Sequence, residues 1–382
     1  MKKVDYLGLS GFPYGLAAVE KQKLIARGLV NAGVNVTVIC NRWGSFNSDQ
    51  LKRKGNFSGV NYIYTTPFLS KPANFFVRRI TLFIGWWGEI LNILFRRQDA
   101  FLVSSEDFFQ VMTYSLVAKI KRKKIFLTYV EEVSELFAGS AFNRFKVFLF
   151  NKYTWKIIDG ALPISEYLIK KVREKNPSLP LMKLPALADF NLFREVGNKK
   201  EKYFLFCGAA QYLEVIQFII DSFDLVEDQE YSLYLVSGGS ANEIENVNNA
   251  IELSSKRSKI KRFGFLSYNE LTAKYINATG LLIPLRNNIR DIARFPHKIG
   301  EYCASRVPII STNVGEMNFY FSHKESALMA QQFNPVDFAR QMQFVIDNSQ
   351  LAEKIGKQSR LIGENHFDYI LMGKKVCSFI GF

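Results

Sequence analysis

Lys298 and Glu301 have the types and spacing to hold a phosphate and a ribose. They stand three residues apart after Phe295-Pro296-His297. Pro296 suits a first helical position, where its missing N–H would be unpaired anyway. A helix start offers free backbone N–H groups and the positive end of a dipole, and Lys298 adds a full charge. Three residues of helix rise about 4.5 Å, an offset that fits a diphosphate and its ribose. The Glu301 carboxylate can accept from both ribose hydroxyls. The pair therefore suits a nucleoside diphosphate. It serves equally as a surface i,i+3 ion pair worth about 0.2–0.5 kcal/mol, and spacing alone favours that plainer reading.

Glu131 and Glu132 directly follow the strand-like run Lys124 to Val130. Acids at the carboxyl end of a parallel strand lie where open α/β sheets bind ligands. They are placed to orient an acceptor hydroxyl or to act as a base. The alternative is an acidic helix start, which the helix dipole also favours. Gly11-Phe12-Pro13-Tyr14-Gly15 forms a glycine loop after the first strand, without the G-x-G-x-x-G spacing of a dinucleotide fingerprint. A tight turn explains Gly11 and Gly15 equally well. Gly208, after the strand Tyr203 to Cys207, permits close backbone approach to a ligand.

These residues need an α/β frame. Strands are expected at 4–10, 34–40, 60–65, 99–105 and 124–130, with an amphipathic helix from Ala17 to Ala32 that Gly33 caps. The strand–loop–helix–strand order is Rossmann-like. Ser267 and Glu270 form a capping box before another helix. At 382 residues the chain suits two domains. The boundary is expected within 186–200, near the charged loop Asn198 to Lys202.

The formal charge of +15 is uneven. Residues 1–190 hold 28 basic and 14 acidic side chains, a surplus of 14, and residues 191–382 hold 22 and 21. A basic first half implies an anionic partner. Within it, Phe75 to Arg97 is strongly apolar, with Trp86 and Trp87 bracketed by Arg78-Arg79 and Arg96-Arg97; Glu89 and Asn92 interrupt it. Its apolar core falls short of the ~20 residues that span a bilayer. It is either a buried helix or an interfacial one with arginines on lipid phosphate. Phe142 to Trp155 has the same character. Nucleic acid is disfavoured, because the basic residues interleave with apolar helices. Four scattered cysteines and three histidines point to reduced cytoplasmic thiols and no metal site. The chain shows no signal-peptide pattern.

The block from Pro296 to Tyr302, followed by Arg306-Val307-Pro308-Ile309-Ile310, resembles the nucleotide-sugar site of GT-B glycosyltransferases, in particular the family-4 group. Leu29 to Val38, Asp159 to Glu166, Leu184 to Phe193 and Ser311 to Glu316 resemble other parts of that family. The resemblance implies two Rossmann-like domains facing across a cleft, with a C-terminal helix crossing back. The expected domains are an acceptor-side domain at 1–190, a nucleotide-sugar domain at 191–365 and a crossover helix at 366–382. It implies retaining transfer of a sugar from a nucleoside diphosphate-sugar to a glycan or lipid-linked acceptor, in bacterial surface polysaccharide or glycoconjugate synthesis. The enzyme would be cytoplasmic and peripheral on the anionic inner face of the membrane, with no cofactor or divalent ion.

In that reading Lys298, Arg294 or Arg290 and the Gly11–Gly15 loop hold the diphosphate, and Glu301 holds the ribose. Phe265 lines the base and Gly208 approaches the donor. Asn287, Asn288, Asp291 or Glu316 contact the sugar, and Glu131 or Glu132 the acceptor. The sequence departs from the family's pattern at Arg306 (usually glycine), at Ala293 (usually glutamate) and at Gln211, Tyr212 and Glu214 (usually basic). A non-catalytic nucleotide- or glycan-binding scaffold and a nucleotide-sugar epimerase of the same fold are the alternatives.

Overall fold

The computed structural model describes residues 1–15, 17–44, 51–137, 139–193 and 201–382. Part of the expected charged loop, Asn198 to Lys200, lies outside them. The chain divides into two compact units. The first comprises Met1–Leu187, Ala293–His297 and Tyr369–Phe382; the second comprises Ala188–Ile292 and Lys298–Asp368. The division differs from the expected domains by three residues at 190 and at 365. The return of Ala293–His297 to the first unit has no counterpart in the sequence reading.

The first unit runs β1 (Lys3–Leu7), α1 (Ala17–Asn31), β2 (Asn35–Cys40), β3 (Lys54–Phe57), β4 (Val60–Tyr64), α2 (Phe75–Phe95), β5 (Ala100–Ser104), α3 (Phe108–Ile120), β6 (Lys124–Tyr129), α4 (Val133–Leu136), α5 (Ala141–Ile157), β7 (Gly160–Pro163) and α6 (Glu166–Lys175). Its sheet order is β3-β4-β2-β1-β5-β6-β7, parallel except for the edge strand β3. Polar β3 escapes the sequence reading. It pairs with β4 through the two-residue turn Ser58-Gly59, both at positive φ (50° and 84°), as a twisted hairpin requires.

The second unit runs β8 (Tyr203–Cys207), α7 (Leu213–Asp224), β9 (Ser232–Val236), α8 (Ala241–Glu252), β10 (Ile260–Phe263), α9 (Tyr268–Asn277), β11 (Gly280–Ile283), α10 (Ile289–Ala293), α11 (Lys298–Ala304), β12 (Ile309–Thr312), α12 (Glu316–Tyr320), β13 (Leu328–Ala330), α13 (Pro335–Asp347) and α14 (Ser349–His366). Its order is β10-β9-β8-β11-β12-β13, all parallel. Numbered from its own first strand, that is 3-2-1-4-5-6, the doubly wound Rossmann order. Without β3, the first sheet has the same order. The chain ends in α15 (Tyr369–Phe379), which belongs to the first unit.

Helices α1 and α15 cover one face of the first sheet. Leu24, Ile25 and Leu29 of α1 and Met372 and Val376 of α15 join Val4, Tyr6, Val36 and Val38 in one core. The two helices touch backbone to backbone: a Cβ added at Gly373 would stand 2.2 Å from Gly28. The capping box on α9 is present, Ser267 and Glu270 bonding each other's backbone N–H. Arg306 holds a left-handed φ of 61°, which accounts for a glycine at the corresponding place in the family it resembles.

Helix α2 is not a buried domain helix. Only Thr81, Gly85, Glu89, Ile90 and Ile93 are buried, while Phe76, Ile80, Phe83, Trp87 and Leu91 are exposed. The inward face lies close: a Cβ at Gly85 would be 2.1 Å from the Asn41 carbonyl oxygen. Glu89 is fully buried and accepts from Asn41 Nδ2 (2.6 Å) and Tyr114 Oη (2.8 Å). Arg96 corrects the expectation of arginines on lipid at both ends of this helix. It turns toward the sheet, 3.5 Å from Asp5, because that buried carboxylate needs a partner.

Burial pushes the Glu89 carboxyl from its ordinary 4.5 up to about 7, against the hydrogen bonds from Tyr114 and Asn41. The folded state therefore keeps this proton while the unfolded chain loses it, and stability falls as pH rises from about 4.5 to 7. Glu89→Gln keeps an acceptor for both donors and should abolish that fall, at most about 3 kcal/mol. Urea denaturation of both proteins at several pH values measures it, and equal slopes would contradict it.

Candidate functional site

In a doubly wound sheet, crossovers leave the first strand in opposite directions and open a crevice at the carboxyl ends of the strands. In the second unit that point lies between β8 and β11. Cys207 ends β8 and Gly208 follows it, and the loop from Arg286 to Asn288 follows β11. Helix α11 brings Lys298 and Glu301 to the same end. Tyr302, fully buried, accepts a hydrogen bond from the Cys207 backbone N–H (3.2 Å), tying α11 to β8.

Lys298 Nζ lies 3.1 Å from Glu301 Oε2. This is no solvated surface pair, since Glu301 is 4% exposed. Burial acts to lower the Lys298 pKa, but the Glu301 carboxylate outweighs it and holds the value above normal. Lys298 therefore keeps its positive charge. The helix begins at Lys298 itself, so Pro296 is not its first residue as expected. Phe295 is buried, and the segment Ala293–His297 before the helix belongs to the first unit.

The other predicted donor residues divide by role. Phe265 is exposed, its ring against Gly238, where an added Cβ would meet it at 2.7 Å. The Arg290 guanidinium lies 5.4 Å from the Tyr212 ring centre. Asn287 is exposed, and Glu316 is buried at the start of α12. Asp291 is committed within the protein, accepting from Arg286 Nε at 2.8 Å. Arg286 also reaches Glu214 (2.6 Å), so a cation from the β11 loop enters the stretch where basic residues were missing. Asn288 caps Asp291 N (2.9 Å). Gly11, Gly15, Glu131, Glu132 and Arg294 lie in the first unit, and Gly11 needs its left-handed φ of 111°. Ala293, also there, is fully buried, so it presents nothing to a ligand.

In the first unit the corresponding crevice, between β1 and β5, holds a cavity of about 180 Å³. Tyr6, Thr128 and Glu131 line it from the strand ends, and Lys21 and Gln22 from α1. Gln22 is 1% exposed, and neither atom of its amide has a hydrogen-bond partner. Glu106, just past β5, completes the lining. Burial, then Glu131, push its carboxyl up to about 7. Burial pushes the Lys21 ammonium down to about 7, against Glu106. Such a pocket, apolar with convergent polar groups of shifted pKa, is the expected form of a ligand site.

The structure thus separates the two adjacent acids. Glu131 faces the cavity. Glu132 is 2% exposed, forms an ion pair with Lys171 and accepts from Ser134 Oγ (2.9 Å). Lys21, Gln22 and Glu106 escaped the sequence reading. Glu106 carried the signal that singled out Glu131, an acid directly after a parallel strand. Lys21 and Gln22 look like ordinary positions of an amphipathic helix.

Residues 189–361 match the family of glycosyl transferases group 1. This span lies between Ala188 and Asp368, the limits of the second unit. The chain carries a group 1 glycosyltransferase domain. It is therefore an enzyme of the glycosyltransferase class. No curated protein matches it by sequence. The whole chain is similar in fold to solved structures. Sucrose-phosphate synthase from Thermosynechococcus elongatus has a TM-score of 0.76 at 13% identity, with 99% of this chain and 98% of that one covered. Anabaena HepE in complex with UDP and glucose has 0.73 at 13%, with 99% of both covered. The lipopolysaccharide outer core galactosyltransferase WaaB has 0.64 at 14%, with 100% of both covered. The fold is GT-B.

The Glu132–Lys171 pair gives the site's sharpest stability test. Lys171→Ala leaves a buried carboxylate unpaired and should cost this glycosyltransferase about 3 kcal/mol. Adding Glu132→Gln should recover most of it. Denaturant titration of the three proteins checks both, and an unchanged midpoint in the single variant would contradict the pairing.

Proposed function

We propose that the enzyme transfers a sugar, with retention of configuration, from a nucleoside diphosphate-sugar to a glycan or lipid-linked acceptor. The observation that carries this reading is the Lys298–Glu301 pair at the β8/β11 crevice, its carboxylate buried and its ammonium partly exposed. Lys298 and Arg290 stabilise the departing diphosphate, Glu301 holds the ribose and Phe265 lies along the base. Pre-aimed charges of this kind contribute most where charge develops in the transition state. The cavity lined by Gln22, Glu106 and Glu131 receives the acceptor. Its charges are partly neutralised at pH 7, which suits hydroxyl groups. HepE, of similar fold, was solved with UDP and glucose.

The acceptor belongs to surface polysaccharide or glycoconjugate synthesis in a bacterium, and the enzyme works at the cytoplasmic face of the membrane. Support comes from the exposed Phe76, Ile80, Phe83 and Trp87 on α2, and from Phe142, Phe145 and Phe148 on α5, all in the basic unit. Exposed aromatic and aliphatic side chains gathered on one side of a helix mark a protein or membrane contact. Among the described residues no helix is long and apolar enough to cross a membrane.

A thermal-shift titration with UDP, GDP, ADP, CMP and TDP should show stabilisation by one of them. Glu301→Ala should abolish it and lower kcat/KM about 100-fold, the loss of two hydrogen bonds to a charged group. No shift with any nucleotide would overturn the donor reading. Vesicles of phosphatidylglycerol should bind the protein at low salt, and Phe83→Ser with Trp87→Ser should release it. Wild type that fails to co-sediment would sink the membrane part alone.

A further inference from the structure

The ion pair Arg286–Glu214 spans the parting between β8 and β11, and its two halves are held very differently. Arg286 stands just past β11. Glu214 lies in the first turn of α7, the crossover helix that leaves β8. Arg286 is fixed within its own loop. Its backbone N–H and its Nε both donate to Asp291 Oδ2 (3.0 and 2.8 Å), and Asp291 N donates to Asn288 Oδ1 (2.9 Å). Asp291 is 1% exposed, so this turn is anchored in the protein. The Arg286 side chain is 18% exposed, and its Nη1 donates to Glu214 Oε2 (2.6 Å). The Glu214 side chain is 68% exposed, and among the described residues Arg286 is its ion-pair partner.

A guanidinium fork fits a carboxylate and a phosphate with the same geometry. An exposed ion pair contributes little and exchanges easily. A fixed fork with one arm on an exposed acid is therefore a place where one anion can replace another. Arg290 crosses the same parting, its guanidinium 5.4 Å from the Tyr212 ring centre. Tyr212 and Glu214 occupy positions that are usually basic in the family, so the cations of this stretch come from the segment after β11 instead. Helix α7 begins there with no side-chain cap at Tyr212. Its dipole accounts for an acid in the first turn, but not for two arginines at a positive helix end. With Glu214 displaced, two guanidinium groups and a helix start face one buried acid, Asp291, and that balance favours an incoming anion.

We propose that Arg286 is a further phosphate-binding residue of the donor crevice and that Glu214 is a built-in competitor for it. The diphosphate and the Glu214 carboxylate take the same guanidinium arm in turn. The inference rests on the reading of this crevice as the nucleoside diphosphate-sugar site. Glu214 sets a ceiling on affinity for the diphosphate: its return to Arg286 replaces the contact that the nucleoside diphosphate product gives up on leaving.

Titration calorimetry on the full chain tests it with UDP, GDP, ADP and TDP, which share the diphosphate and differ in the base. The nucleotide that binds wild type should bind Glu214→Gln about two- to fivefold tighter, the contribution of an exposed ion pair. Glu214 is exposed, so the unfolding midpoint should stay in place. Arg286→Lys keeps a cation beside Asp291 but has no fork, and should weaken binding about tenfold or more. In that background Glu214→Gln should change nothing, which separates a shared guanidinium from the mere loss of a negative charge near the phosphates. Three results would overturn the competition and leave the donor reading intact: equal or weaker binding by Glu214→Gln, wild-type affinity in Arg286→Lys, or a gain from Glu214→Gln that persists in Arg286→Lys. No binding of any of the four by wild type or by Glu214→Gln would overturn the donor reading itself, and this inference with it.

Discussion

Parallel strands joined by right-handed crossovers impose one constraint on everything else here. When the chain winds outward from a first strand in both directions, neighbouring loops part at that strand's carboxyl end. Both sheets obey this, with partings at β1/β5 and β8/β11. Backbone and side chains at those points cannot be covered by the unit's own crossover helices. The Lys298–Glu301 pair stands at one parting, and the Gln22–Glu106–Glu131 cavity at the other. Neither requires special pleading from the rest of the fold, which is ordinary core: β-branched and aromatic strands under amphipathic helices.

Burial of ionisable groups is costly unless they are paired or hydrogen-bonded. The protein meets that cost in different ways at different places. Glu132 has a lysine. Asp291 has Arg286, which in turn reaches Glu214. Glu89 has no ion-pair partner among the described residues; burial outweighs the nearby Arg42 and the hydrogen bonds from Tyr114 and Asn41, and its carboxyl gives up its charge near neutrality. That arrangement fixes the narrow, glycine-bearing side of α2 to the sheet and leaves its aromatic side outward. Gln22, not ionisable but fully polar, leaves both amide atoms without a hydrogen-bond partner, and it lines the first unit's cavity beside Glu106.

The amino-acid sequence by itself determined the α/β class, the order of the main elements and the one-turn spacing of Lys298 and Glu301. Hydrophobic runs, Gly33, the Ser267–Glu270 capping box and the Lys298–Glu301 spacing are local signals, and local signals survive in a one-dimensional reading. Edge strand β3 did not, because its four residues are mostly polar and its turn is Ser-Gly. Only the tertiary structure decided which charges are used up and which face a cavity. Glu131 and Glu132 are neighbours with the same chemistry, yet one lines a pocket and the other is paired with Lys171, 39 residues away. The physical reason is that a side chain's desolvation and partners depend on residues distant in the chain. Period and spacing carry the direction of a side chain from its own element, but not what meets it there.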